Sequence, residues 1–149
     1  MKFSRETYYG LQALAHMAQR PNDMLEAAEL ARRAKLPRPF LAKILHSLAQ
    51  HGVLRSFRGA KRGYMLAHPP EKITVREVIE ALDGGDIFER CVFWSHGCSD
   101  RDPCPLHETW QTVRPAVASL LGRLTVAQLA SGQRLPSMAR RSRVRGRAS

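Results

Sequence analysis

The apolar positions of this chain repeat first with a helical period, then with a period of two, then with a helical period again. Over residues 4–20, Tyr8, Leu11, Leu14, Ala15 and Ala18 recur at helical spacing behind Ser4, which reads as an N-cap. "RPND" at 20–23 breaks this helix. "LEAAELARRA" at 25–34 sets Ala27, Leu30 and Ala31 on one side of a short second helix, and "KLP" at 35–37 is a tight connector. "RPFLAKILHSLAQHG" at 38–52 predicts a longer helix, with Leu41, Ile44, Leu45 and Leu48 inward and Gly52 as C-cap. Its other face carries Pro39, Ala42, Lys43 and His46; His46 and His51 read as surface or capping residues. The period then falls to two. Val53–Arg58 and Gly63–Leu66 flank a basic tip, "GAKR", which is the pattern of a β-hairpin. Two helices joined by a short turn and followed by a hairpin have the order of a winged helix-turn-helix.

Beyond a stiff linker, "AHPPEK" at 67–72, Thr74 and Glu77 form a capping box ahead of the helical "TVREVIEAL" at 74–82, which "DGGD" at 83–86 ends. An irregular loop follows. From Pro105 to about Arg123 a long helical pattern carries an apolar stripe of Trp110, Val113, Val117, Leu120, Leu121 and Leu124. A small domain cannot cover such a stripe alone, so the stripe predicts a partner helix. Pro115 should kink or locally open this helix, and Thr125 caps a last short one, "VAQLA". There is no internal repeat. The expected fold is mainly α with a small β-hairpin wing, a winged helix-turn-helix plus a long dimerisation helix. The expected division is 1–82 for the winged domain, 83–104 for the cysteine loop, 105–131 for the dimerisation and terminal helices, and 132–149 for a disordered basic tail.

Charge narrows the partner. The 149 residues carry a formal net charge of +11, and the segment 134–149 supplies six arginines and no acid, which leaves +5 on the rest. A basic balance favours a polyanion through phosphate contacts and counterion release. The cations also cluster where a winged helix-turn-helix would use them. Arg38 and Lys43 lie at the start of the third helix. Arg55, Arg58, Lys61 and Arg62 lie on the wing, and Lys2, Ser4 and Arg5 at the start of the first helix. A solvated face is the plainer alternative; the clustering favours DNA. "MKFSRETYYG" has no signal-peptide core and no stretch is apolar enough to span a membrane, so a cytoplasmic protein is expected. Scattered histidines, no nucleophile and base at motif spacing, and no glycine-rich phosphate loop argue against an enzyme.

All three cysteines fall in "CVFWSHGCSDRDPCPLHETW", residues 91–110, with the spacing Cys91-x6-Cys98-x5-Cys104-x2-His107. Three cysteines are too few for a disulfide framework. Thiolates are the soft ligands that iron–sulfur clusters need, and an imidazole replaces a thiolate on one iron in some centres. Three sulfurs and one nitrogen would also satisfy tetrahedral zinc, although a short C-x2-C clip is absent. Free or redox-active thiols are the third reading.

"MKFSRETYYGLQAL", "LARRAKLPRPFLAKILHSLAQHGVLRSFRGAKRGYML", "ITVREVIEALDG" and "CPLHETW", in this series, resemble the Rrf-type family of bacterial winged helix-turn-helix transcription regulators, the IscR/NsrR/RirA-like proteins. The resemblance covers roughly residues 1–130. It implies a homodimer on a palindromic double-stranded DNA operator and no membrane partner. It implies that Cys91, Cys98 and Cys104 hold an iron–sulfur cluster in the 83–104 loop, with His107 as fourth ligand. A histidine ligand favours a two-iron two-sulfur centre, with a four-iron four-sulfur centre as the alternative. Some family members instead use an acid from the partner's first helix; here Tyr8 stands near that place, with Glu6 two residues before it.

Overall fold

The computed structural model describes residues 1–94 and 97–132. The expected tail at 132–149 lies, but for Gly132, outside the described residues. Six α-helices and one hairpin make up the described fold: α1 (Arg5–Ala18), α2 (Ala27–Ala34), α3 (Arg38–Gln50), β1 (Leu54–Phe57), β2 (Gly63–Leu66), α4 (Val75–Asp83), α5 (His107–Arg123) and α6 (Val126–Ser131). Short 3₁₀ turns at Pro70–Lys72 and Ile87–Glu89 flank α4.

Local chemistry sets the ends of these elements. Ser4 caps α1 by accepting from the Thr7 amide. α2 closes on Lys35 in the left-handed region (φ 56°), and Leu36 N–H donates to Ala31 C=O, so the chain turns sharply into α3. Pro37 and Pro39 open α3, where a missing N–H costs nothing. The hairpin is antiparallel with Leu54 opposite Leu66 and Phe57 opposite Gly63. Leu25 adds a bridge to Tyr64 on its outer edge, through bonds of 2.9 and 2.8 Å, and so ties the wing to the entrance of α2.

One core lies between α1, α2, α3, the hairpin and α4, built on Leu14, Met17, Leu30, Leu41, Ile44, Leu45, Leu48 and Val78. The inward face of α3 is the one its period predicts. The face of α1 is turned. Thr7, Gly10, Ala13, Leu14 and Met17 are buried, whereas Tyr8 is 59% exposed. The reason is close approach: a Cβ at Gly10 would lie 2.6 Å from Leu82 Cδ1 and 3.3 Å from Ile44 Cγ2, so the small residues of α1, not the aromatic ones, face α3 and α4.

A second, smaller core joins Val75 and Ile79 of α4 to Ile87, Phe88 and Ala118. Twin capping boxes, Thr74 with Glu77 and Thr125 with Gln128, start α4 and α6 side by side. Val75 N–H donates to Leu124 C=O and Val126 N–H to Ile73 C=O, locking the two starts together. α5 runs through Pro115 as one continuous helix. Of its side chains only His107 and Ala118 are buried, so the apolar stripe is left part-open, with Val113 exposed. No described helix is long and apolar enough to cross a membrane.

Candidate functional site

Two groups of side chains carry chemistry. The first is the basic face of the winged unit. Arg38 at the start of α3 and Arg58 and Arg62 of the wing line one cleft, together with His46, Ser56 and Tyr64. Lys61 and Arg62 line its neighbour with Glu26, Glu29 and Arg32. Arg62 comes within 3.9 Å of Glu26, both largely in solvent. Arg55 stacks over the Phe57 ring, 5.5 Å from its centroid. Lys43 leans the other way and meets Glu6 of α1 at 3.4 Å. Lys2 and Arg5 are exposed near it, at the start of α1. Ser4 is less free than its neighbours. Its hydroxyl caps α1, and its N–H donates to the Asp83 carboxylate, which also accepts from the Thr7 hydroxyl at 2.7 Å. His51 caps α3 through Nδ1, 2.8 Å from Ser47 C=O.

The second group is the cysteine loop. Its entry is anchored by carbonyls. Arg114 of α5 donates to Glu89 C=O, Trp110 Nε1 to Arg90 C=O, and the Met1 ammonium to Cys91 C=O at 2.6 Å. Cys98 N–H then donates back to Glu89 C=O, closing the loop on itself. None of the three cysteines is in a disulfide. Cys91 and Cys104 are buried, and each thiol shifts the other's pKa. The Trp94 backbone N–H, donating to Cys91 Sγ at 3.4 Å, leads the interactions that hold this thiol below its ordinary pKa. Burial pushes Cys104 the opposite way.

Cys98, at the rim, has its Sγ 3.3 Å from His107 Nδ1. His107 is 8% exposed, and its Nε2 lies 2.6 Å from Asp100 Oδ1. A carboxylate can only accept, so Nε2 donates to Asp100, and this leaves Nδ1 facing Cys98. The bond from His107, helped by Gln111, holds Asp100 below the usual carboxylate range. Sequence reasoning missed Asp100, Gln111 and Asp83. Gln111 could have been found, since it stands one helical turn after His107.

This donor set fits an iron–sulfur cluster in kind: soft sulfurs, a backbone amide donating to one of them, and an imidazole fixed by a carboxylate behind it. The donors stand as two pairs, Cys91 with Cys104 and Cys98 with His107. Among the described residues no three or more His, Cys, Asp or Glu side chains are already gathered as they would be around a metal ion.

A short-turn helix pair, a basic hairpin wing and a cysteine loop fastened to Met1 and to α5 define a winged helix-turn-helix DNA-binding regulator. Residues 3–132 match the Rrf2 family model, described as an iron-dependent transcriptional regulator, and the chain belongs to that family. It is 34% identical over 131 residues to an HTH-type transcriptional regulator of Aquifex aeolicus, spanning 87% of this chain and 91% of that protein. Among solved structures it is similar to CymR (YrzC), the global cysteine regulator of B. subtilis, with a TM-score of 0.72 and 27% identity over 90% of this chain and 99% of that one. It is also similar to T. potens IscR, with a TM-score of 0.67 and 26% identity over 94% of this chain and 93% of that one. The chain is a transcriptional regulator, not an enzyme.

Proposed function

We propose that this chain is a cytoplasmic, homodimeric regulator whose affinity for a palindromic operator is gated by an iron–sulfur cluster held by Cys91, Cys98, Cys104 and His107, with a two-iron two-sulfur centre favoured over a four-iron four-sulfur one. The observation that carries this reading is the aim of His107: Asp100 holds one ring nitrogen, and the other points at Cys98 Sγ, 3.3 Å away. A buried histidine on a plain helix start has no need of that arrangement. When bound, the centre supplies a group that oxygen, nitric oxide or iron shortage can remove. The protein's own part is transmission. The loop is tied to the start of α1 by Met1 and to α5 by Trp110 and Arg114, so ordering it repositions both. The part-open stripe of α5 supports a partner copy, with Lys2, Ser4, Arg5, Arg38, Lys43, Arg55, Arg58, Lys61 and Arg62 facing DNA. Anaerobic purification with iron and sulfide quantification tests the reading. Matched iron and sulfide, a visible chromophore, and operator affinity that changes when the chromophore is bleached are expected. A colourless protein, or stoichiometric zinc in its place, overturns it.

The burial of Cys91 and Cys104 near enough to shift one another's pKa favours a second reading. In it, the two thiols lose two electrons and two protons to a peroxide and form a disulfide. Alkylation and mass analysis of peroxide-treated protein separates the two. A linked 91–104 peptide with iron-independent DNA binding selects the thiol switch.

A further inference from the structure

The first turn of α3 is unusual for a helix placed to read DNA. Residues Pro37, Arg38, Pro39 and Phe40 offer two prolines without backbone N–H groups, no hydroxyl and no amide side chain. What the turn does present is one guanidinium and one aromatic ring. Phe40 is 51% exposed, and it stands beside the core residue Leu41 without joining the core. Lys43, one turn on, is exposed on the same flank, and Arg38 opens the cleft to Arg58 and Arg62 on the other. Phe40 lies in sequence between Arg38 and Lys43, with Arg58 and Arg62 across the cleft from Arg38, and these four cations outnumber the acids that meet them, Glu6 and Glu26. Charge complementarity selects a polyanion.

We infer that Phe40 is a specificity-determining residue that reads the 5-methyl group of thymine in the major groove. Thymine is the base that presents a methyl there, and apolar side chains recognise it by contact. Arg38, with its five donors, is the neighbouring reader of guanine O6 and N7. The half-site therefore holds a thymine within one or two base pairs of the guanine that Arg38 meets. The inference rests on the winged unit being the DNA-reading face.

The test uses full-length protein purified without oxygen and duplexes it selects from a random library. Each selected duplex is remade with deoxyuridine for thymidine at single half-site positions, which deletes one methyl and leaves the hydrogen-bonding edge intact. Wild-type protein should bind the uracil form about fourfold more weakly at one position, the effect of one buried methyl. Phe40→Ala should bind the thymine duplex more weakly and no longer distinguish the two. Phe40→Leu, still apolar, should keep part of the preference. Equal binding of thymine and uracil forms by the wild type at every position overturns the inference, as does full thymine preference in Phe40→Ala. Selected half-sites without thymine overturn it too. Failure to bind any duplex would instead remove the DNA-reading face itself, and this inference with it.

Discussion

Asp100 gives His107 a direction. The carboxylate is 86% exposed, so it contributes little packing, yet its oxygen sits 2.6 Å from the Nε2 of a buried imidazole. Groups of this kind typically change metal affinity by about 10–100-fold when removed, because the ring then loses its tautomer and its angle. Asp100→Ala should therefore lose iron about tenfold or more faster to a chelator than the parent. Its thermal unfolding without iron should be unchanged. Equal iron retention would show that the carboxylate merely decorates the surface. Cys91, Cys98, Cys104 and His107 stand out in the sequence as candidates because their spacing is compact and their chemistry distinctive. Asp100 does not. The loop is rich in acidic residues, and only folding decides which one meets the ring. Asp83 was hidden for a similar reason: it lies 79 residues from the Ser4 amide it receives.

Elements whose period is strict were read correctly from the chain, and those whose burial depends on a neighbour were not. The α3 face of Leu41, Ile44, Leu45 and Leu48 is a simple stripe, and all four are buried. In α1 the apolar count points to Tyr8, but Gly10 and Ala13 make the contact because helices pack closest where side chains are smallest. The wing offers a sharper test of such close approach. Gly63 has φ +154°, and a Cβ there would lie 2.8 Å from the Leu25 carbonyl oxygen, a backbone atom that cannot swing aside. It also adjoins Tyr64, whose pairing with Leu25 fastens the hairpin to α2. Gly63→Ala should destabilise the protein by about 1–3 kcal/mol, measured by urea unfolding. A smaller loss than half a hydrogen bond's worth would mean that the hairpin slides freely against residue 25. The hairpin itself was evident from its alternation and basic tip. The Leu25 bridge was not, since one residue carries no period.

Across the whole molecule, the wing and the start of α3 gather cations, and the largest run of open apolar groups lies elsewhere. The winged end gathers Arg38, Arg55, Arg58, Lys61 and Arg62, whereas the cysteine loop and α5 leave apolar groups open: Val92, Phe93, Trp94, Leu106 and Val113. The total of +11 does not say where phosphate is met, and a solvated face and a DNA face have the same sum. Only position separates them. Arg58 lines the cleft at the wing tip beside Gly59, and no acid is paired with it among the described ion pairs, unlike Arg62 with Glu26. Its guanidinium is thus available to a phosphate or to a narrow minor groove. Arg38 shares that cleft but sits on α3, the helix proposed to enter the major groove. The two should behave differently. Arg58→Ala should weaken binding to specific and non-specific duplexes alike and reduce the slope of log affinity against log salt by about one. Arg38→Ala should weaken the selected duplex far more than a scrambled one, by about 1–3 kcal/mol of lost discrimination. Both side chains are exposed, so the fold should be untouched, and circular dichroism would show it. If Arg58→Ala left affinity and salt slope unchanged, the wing would not touch DNA, and the contact surface would shrink to α3 and the start of α1.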